Sequence, residues 1–350
     1  MAITYHAGRR IQGTNADRTT NYGTVSTDGS YTVLKFTESG VFKPTSAFNV
    51  EYLVVAGGGA GGKPYGGGGG AGGLRTNRSG ATNGGGSSLE STYSATAQTY
   101  TITAGAGGVA PSATHVTGNS GSNSSIVPAS GTSIISNGGG GGGAEVTSRA
   151  GIAGGSSGGS GYSVSGVAAL TSPTVQGYAS GTGGNGDTYG YSGGGGGGAG
   201  EVGQGAATQT AKTGLDGGDG VQNDITGASI YYAGGGAGSG GYGSQDLTYQ
   251  GDGGLGGGGN GAYTGKMYAE DGADGLGGGG SGTPNGSTIS NLGAGGDGVV
   301  ILRFLTSGNT YTDTRISNVQ VGSRYEETDT KKIYYRDDVD FKELDGNEAT

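Results

Sequence analysis

The sequence contains no cysteine and no tryptophan, and it has only two histidines, His6 and His115. Without cysteine, disulfide frameworks and cysteine-ligated zinc sites are excluded. Two histidines leave little material for histidine-centred acid–base catalysis. The 18 Lys and Arg residues face 27 Asp and Glu, and the formal charge of −9 argues against nucleic acid as a partner, because phosphate binding needs clustered positive charge. We therefore expect no enzyme activity, no metal and no other cofactor.

Long hydrophobic runs are also absent from the sequence. The longest cover residues 52–56 and 299–302, whereas a membrane span needs about 18 or more apolar residues. Residues 1–12 lack the basic start and apolar stretch of a Sec-type signal peptide. We expect neither membrane insertion nor Sec-dependent export.

Glycine dominates what is present, with 91 of 350 residues. All but eight of these glycines lie between Gly57 and Gly298, whereas the last 40 residues are rich in charge. The composition divides the chain into an N-terminal β module (1–56), a glycine-rich domain (57–298), a closing strand (299–310) and a charged C-terminal module (311–350). The terminal modules are expected to serve for attachment.

Four β-branched or aromatic stretches predict strands, over residues 31–37, 49–56, 100–104 and 299–304. The second and fourth are continuous apolar runs, which is typical of strands covered on both faces, and we expect them to pair and close the glycine-rich domain. Glycine at this density disfavours helix. The predicted fold class is mainly β and irregular, with little or no α-helix.

The glycine runs are consecutive and separated by polar loops that contain tyrosine. A collagen helix is excluded because it needs glycine at every third position and much more proline than six residues. A calcium-binding nonapeptide is disfavoured because Asp187 and Asp219 are wrongly spaced. Two interpretations remain: a flexible low-complexity linker, or a sandwich of packed threefold polyglycine-II helices.

Polyglycine-II helices have no internal hydrogen bonds, so their backbones must bond to neighbouring helices, and only residues without a Cβ allow that approach. In this interpretation Ala60, Ala71, Ala199 and the serines between Gly154 and Gly159 should face outward. If consecutive runs are antiparallel, alternate loops share an end, and residues 63–65, 87–104, 144–150, 187–192, 221–233 and 262–274 form the end that is richer in tyrosine.

Tyrosine gives large contact area at low entropy cost and is common in binding loops. Tyrosine can equally cover the ends of the domain as packing, and the sequence leaves both roles open. The candidate receptor-binding residues at the tyrosine-rich end are Tyr189, Tyr191, Tyr231, Tyr232, Tyr263 and Tyr268.

Three other patterns carry little chemistry. Gly57-x-x-x-x-Gly62-Lys63 resembles a phosphate-binding loop, but Pro64 replaces the hydroxyl residue that holds magnesium. The carboxylates of Glu270, Asp271 and Asp274 could bind a metal or act as acid and base, but in a glycine-rich loop they are more typical of a solvated surface. His6 and His115 are expected on the surface.

The segments FTESGVFKPTSAFNVEYLVVAGGGAGG (residues 36–62) and GDGVVILRF (residues 296–304) resemble the glycine-rich domain of phage and other viral tail proteins. The resemblance covers roughly residues 31–305. The repeated glycine runs are also similar to the tip adhesin of T-even-type phage long tail fibres, whose family fold is a polyglycine-II sandwich with receptor-binding loops. The flanks, residues 6–20 and 321–343, are similar to terminal modules of virion structural proteins.

This resemblance implies a tail-fibre or adhesin protein of a virus particle that displays loops for recognition of a host-cell surface protein or glycan. It also implies contacts with other virion subunits through both termini, possible homo-oligomers, synthesis in the host cytoplasm and a place on the virion surface. The alternative is a structural subunit that assembles into a filament or decorates a capsid.

Overall fold

The computed structural model of the chain describes residues 4–5, 10–13, 21–113, 115–145, 150–184, 191–206, 214–240, 251–262, 269–284, 293–313, 324–327, 329–330, 332–336 and 341–343. The strands in chain order are β1 (Thr4–Tyr5), β2 (Arg10–Gly13), β3 (Thr24–Asp28), β4 (Tyr31–Phe36), β5 (Gly40–Phe42), β6 (Phe48–Val55), β7 (Leu74–Thr76), β8 (Tyr93–Ala95), β9 (Tyr100–Thr103), β10 (Ser124–Pro128), β11 (Ile134–Ser136), β12 (Val221–Asn223), β13 (Ile230–Tyr232), β14 (Val299–Leu305), β15 (Arg324–Glu327), β16 (Ile333–Arg336) and β17 (Phe341–Glu343). The described residues also include a 3-10 turn at Gly84–Gly86, and the mainly β and irregular class is confirmed.

The central sheet has the order β3-β4-β14-β6-β7, with β8 also paired to β6. Strand β14 lies between β4 and β6 and is antiparallel to both. Val300 is opposite Val54, and Leu302 is opposite Tyr52. The four predicted strands are therefore present as β4, β6, β9 and β14, and the predicted pairing of the second and fourth is confirmed.

Both faces of the central sheet are buried, which explains the continuous apolar runs in β6 and β14. One face, with Leu34 and Leu302, packs in a cluster with Tyr100 of a second sheet of order β11-β10-β9-β5. The opposite face, with Leu53 and Ile301, packs against the β12-β13 hairpin. The glycine-rich domain thus carries apolar cores on either side of its framing sheet.

The described parts of the two termini form one sheet of order β1-β2-β15-β16-β17. Strands β2 and β15 pair in parallel, with Ile11 opposite Tyr325. The side chain of Tyr325 is fully buried. The described strands of the N-terminal and C-terminal segments therefore meet in one sheet.

The polyglycine runs form a hydrogen-bonded bundle. Run 66–73 donates in turn to three different neighbouring runs, and each neighbour receives every third N–H. The donor and acceptor pairs are Gly66 to Thr283, Gly69 to Gly280 and Gly72 to Gly277; Gly67 to Gly143, Gly70 to Gly140 and Gly73 to Asn137; Gly68 to Gly194 and Ala71 to Gly197. A three-residue period is that of a threefold helix without internal hydrogen bonds.

The same run accepts hydrogen bonds from three further runs, at residues 236–239, 56–62 and 156–159. It is therefore surrounded on six sides. A Cβ added at Gly68 would lie 1.9 Å from the carbonyl oxygen of Gly236, and one at Gly69 would lie 1.9 Å from that of Gly59. Glycine is thus a steric requirement at the centre of the bundle, as the polyglycine-II interpretation predicts.

The alanines and serines within the runs are the exception to this interpretation. The expectation that they face outward is wrong, because Ala60, Ala71 and Ala199 are fully buried, and so are the serines Ser156 and Ser157. Ala71 and Ala199 pack in the apolar cluster beneath the central sheet, and the hydroxyl of Ser157 donates to the carbonyl of Ala168. Small side chains therefore fill the gaps where the bundle meets other elements.

The bundle has two ends. At the sheet end, β6 leads into run 56–62 and run 66–73 returns into β7. We call the opposite end, reached at residues 63–65, the distal end. Val116 also lies at the distal end, because it forms a β-bridge with Lys63. Glu145 lies there as well, because its N–H donates to the carbonyl of Pro64.

The predicted grouping of loops is wrong in several places. Residues 87–104 and 221–233, which were grouped with 63–65, contain β8, β9, β12 and β13 at the sheet end. Tight reversals such as the one closed by the Gly198 N–H and the Glu201 carbonyl turn the chain without a recognisable loop. Counting glycine runs therefore miscounts the reversals.

Candidate binding surface at the distal end

The first connection at the distal end is a tight reversal between two central runs. The N–H of Gly62 donates to the carbonyl of Gly67, and Tyr65 lies between them with a φ of 44°. This left-handed conformation is uncommon for a residue with a side chain. The Tyr65 side chain is only 4% exposed.

Three tyrosines meet at this reversal, and we call Tyr65, Tyr162 and Tyr191 the distal tyrosine cluster. The ring of Tyr191 lies 5.2 Å from that of Tyr65 and 4.1 Å from that of Tyr162, in both cases edge to face. Edge-to-face packing is a favoured arrangement of aromatic rings. Tyr162 and Tyr191 are half-buried. The cluster thus combines a buried anchor with two partly accessible rings.

The bundle fixes the position of these rings. Gly184, which precedes the connection to Tyr191, forms a bridge with Ser192. Gly193 donates its N–H to Ser239, which in turn donates to Gly66 beside the first reversal. Several runs therefore hold the described residues of the distal end in register.

The structure separates the predicted tyrosines. Tyr191 lies at the distal end, as a member of the cluster. Tyr231 is 37% exposed but belongs to β13 at the sheet end. Tyr189, Tyr263 and Tyr268 lie outside the described residues, although Ala262 and Ala269 on either side of the last two are described.

The structure corrects the prediction that Tyr232 belongs to a receptor-binding surface. Its side chain is 1% exposed and packs in the apolar cluster with Ile225 and Val221, so it cannot contact a receptor. Burial raises the pKa of its phenol to about 12. The alternation along β13 directs Tyr231 outward and Tyr232 inward.

Tyr162 is not among the predicted residues, because the tyrosine-rich group of loops predicted from the sequence does not include it. Tyr65 belongs to the predicted tyrosine-rich group of loops, but it is not one of the six candidate receptor-binding residues. The signal that could have found it is its position in the shortest connection, directly between two long glycine runs.

The segment that resembles a phosphate-binding loop has no free backbone donors. The N–H groups of residues 57–62 donate to carbonyls of neighbouring runs, at Ser122, Gly296, Gly70, Asn119, Gly293 and Gly67 respectively. No helix begins after Lys63, because the chain reverses there. A phosphate would find neither the donors nor the helix N-terminus that such sites require.

The acidic candidates have structural partners. Asp271 accepts the N–H of Ala294, Asp274 accepts that of Asp297, and Glu270 accepts from the side chain of Asn260. Within the described ranges, no group of three or more His, Asp or Glu side chains is arranged to hold a metal ion.

His115 is exposed with a φ of 62°, and His6 lies outside the described residues. Nor does the described part of the chain contain a helix long and apolar enough to cross a membrane.

A charged network stabilises the sheet end. Arg303 on β14 donates to Glu51 (2.6 Å) and Asp28 (2.9 Å), and its guanidinium lies 3.4 Å from the centre of the Tyr31 ring. Arg78 connects Glu51 to Asp224 beside the β12-β13 hairpin. Arg303 and Glu51 also line a surface cleft of about 630 Å³. The network ties the hairpin to the central sheet.

These features define a class of protein: a polyglycine-helix bundle framed by β-sheets, with an aromatic cluster at its free end. A family model for a glycine-rich domain matches residues 37–305, and the chain belongs to this glycine-rich domain family. The matched region ends at the last residue of β14 and leaves out the terminal sheet. A comparison with curated proteins found no match.

Proposed function

We propose that this chain is a display protein of a virus particle, of the phage tail-fibre or adhesin type. It acts without chemistry: the polyglycine bundle holds distal connections in place for recognition of a protein or glycan on a host-cell surface. The single observation that carries this proposal is the polarity of the molecule, with the framing sheets at one end of the bundle and the distal tyrosine cluster at the other.

The bundle is suited to display because its rigidity does not depend on the distal residues. Run 66–73 is hydrogen-bonded to six neighbours along its length. The connections at the distal end can therefore differ in length and sequence without changing the bundle, which is the usual relation between a rigid scaffold and its binding loops.

The distal residues have the composition of a recognition surface. The partly accessible ring of Tyr191 packs against the buried ring of Tyr65 and against the partly accessible ring of Tyr162, and rings held in this way offer contact area with little loss of entropy on binding. The remaining candidates, Tyr189, Tyr263 and Tyr268, lie in stretches 185–190 and 263–268, outside the described residues.

The virion assignment draws on the resemblance of residues 36–62 and 296–304 to phage and viral tail proteins. In this proposal the terminal sheet, which pairs β2 with β15, attaches the chain to other virion subunits. In the same proposal the chain is made in the host cytoplasm and is carried on the virion surface without inserting in a membrane. Homo-oligomers are compatible with this arrangement.

The test is binding of the fluorescently labelled full-length chain to a panel of intact bacterial cells. We expect saturable binding to some strains and its loss in Tyr191→Ala. Tyr231→Ala is the matched control, because it removes an exposed tyrosine at the opposite end of the bundle. Equal loss in both variants, or no binding to any strain, would count against distal recognition.

The structural-subunit alternative has its own readout. Negative-stain electron microscopy of the purified chain would show filaments if the protein assembles by itself. Filaments without cell binding would replace the adhesin proposal with a structural one.

A further inference from the structure

Asp-Gly pairs form a repeated two-bond arrangement on outer runs of the bundle. Gly217 donates its N–H to the carbonyl of Asp252, and the carboxylate of the preceding Asp216 accepts the N–H of that same Asp252 at 2.7 Å. One residue of the neighbouring run is thus held through both of its backbone groups. We call this arrangement an Asp-Gly clamp.

The clamp recurs with the three-residue period of the helix. In each of the two runs the second Asp-Gly pair follows the first by three residues, which is one turn of the helix. The two residues that these pairs clamp on the neighbouring run are also three residues apart. The remaining clamps are Asp219-Gly220 on Leu255, Asp271-Gly272 on Ala294, and Asp274-Gly275 on Asp297. The segments DGGDG and DGADG in the sequence therefore each supply two clamps.

The clamped N–H groups lie at the outer surface of the bundle. Asp252, Leu255 and Asp297 are exposed, and Ala294 is half-buried. In an interior run such as 66–73, every N–H meets the carbonyl of another run. At the surface no further run among the described residues accepts these N–H groups, and the carboxylate oxygen takes the place of the carbonyl that such a run would supply.

An open edge of backbone donors is a site for association. Unpaired N–H and C=O groups on a β-sheet edge allow another chain to add itself, and proteins block such edges by charge or by covering them. A polyglycine bundle has the same problem on its outer runs, because its runs are held by lateral backbone hydrogen bonds alone.

We propose that the Asp-Gly clamps close this edge of the bundle, so that a polyglycine run from a second copy of the chain cannot extend it. The blocking element is the occupied N–H group, not the negative charge. This inference concerns the side of the bundle and is independent of what the distal end binds.

The decisive pair of variants changes Asp216, Asp219, Asp271 and Asp274 together. In the alanine variant the acceptors are lost while each Cβ, which already fits, is kept. In the asparagine variant the side-chain oxygens remain and four negative charges are removed. Sedimentation velocity measures association, and hydrogen exchange with mass spectrometry measures protection of the clamped amides.

We expect the alanine variant to associate and to exchange the amides of Asp252, Leu255, Ala294 and Asp297 about tenfold faster. The asparagine variant should keep the association state of the wild type, and the wild type should keep that state even at about 1 M salt, where the Debye length is roughly 3 Å. Asp252→Asn is the charge control, because its carboxylate accepts no hydrogen bond from the described residues.

Association of the asparagine variant, or of the wild type at high salt, would assign the block to charge and overturn the proposal. An alanine variant that stays unassociated would do the same. If the alanine variant does not fold, hydrogen exchange of the wild type tests the proposal instead. Clamped amides that exchange as fast as solvent-exposed loop amides would show that the clamp does not form.

Discussion

The bundle interpretation makes a sharp prediction for Gly69→Ala at the centre of run 66–73. A Cβ at this position would lie 1.9 Å from the carbonyl oxygen of Gly59. Carbon and carbonyl oxygen approach to about 3.3 Å in ordinary contacts, so the two runs must separate by about 1.4 Å. Neither run has an unoccupied side toward which it can move.

The separation would break a hydrogen bond that is fully buried. The bond that joins these two runs beside the added Cβ is donated by the N–H of Gly59 to the carbonyl of Gly70 at 2.8 Å. A shift of about 1.4 Å stretches that bond to about 4.2 Å, beyond hydrogen-bonding distance, and leaves both of its groups unpaired. Each buried group left unpaired costs about 1 to 3 kcal/mol, so we expect a loss of about 2 to 6 kcal/mol of unfolding free energy.

The assay is urea unfolding followed by tyrosine fluorescence, with Gly29→Ala as the control. Gly29 has a φ of 56° and open space around its missing Cβ. That substitution carries only the strain of a left-handed residue, about 1 to 2 kcal/mol. A loss for Gly69→Ala no greater than for Gly29→Ala would refute the close-packed bundle and favour a flexible linker.

Three further predictions address the sheet end. Arg303→Ala removes a 5% exposed guanidinium that pairs with Asp28 and is one of the two arginine partners of Glu51, and we expect a loss of about 3 kcal/mol in the same unfolding assay. Tyr232→Ala should cost about 3 to 5 kcal/mol, as for a large core side chain, whereas Tyr231→Ala should change stability by less than about 0.5 kcal/mol. The pKa of Tyr232 is about 12 when folded and about 10 when unfolded, so its contribution to stability is complete below pH 10 and falls as the pH rises toward 12, by about 2 to 3 kcal/mol. Tyr232→Phe should remove that part of the pH dependence, and an unchanged profile would show that another group titrates.

Strand existence was predictable because it depends on local composition. Residues 49–56 and 299–304 are apolar at every position, a pattern that requires cover on both faces, and the structure covers β6 and β14 on both faces. Their pairing followed because they flank the glycine-rich domain. The buried alanines were not predictable in the same way, because Ala71 and Ala199 fill a gap between bundle and sheet that exists only in the assembled fold.

The candidate surface was predictable only in part. Tyr191 and Tyr232 are equally tyrosines beside glycine runs, yet one lies at the distal end and the other in the core. Asp271 and Asp274 look like surface carboxylates in sequence, and their role appears only when Ala294 and Asp297 are beside them. These outcomes depend on which run neighbours which, at separations of 20 or more residues along the chain.

The sequence by itself reduced the middle of this protein to two possibilities, a flexible linker or backbone packed against backbone, because about a quarter of the residues of the chain lack a Cβ. It also determined the strands that frame the bundle, through their unbroken apolar runs. Tertiary structure alone decided which end each connection occupies, which tyrosines are buried and which carboxylates act as backbone acceptors. Lateral hydrogen bonds between threefold helices have the same local geometry for every neighbour, so only the complete set of long-range pairings selects one arrangement.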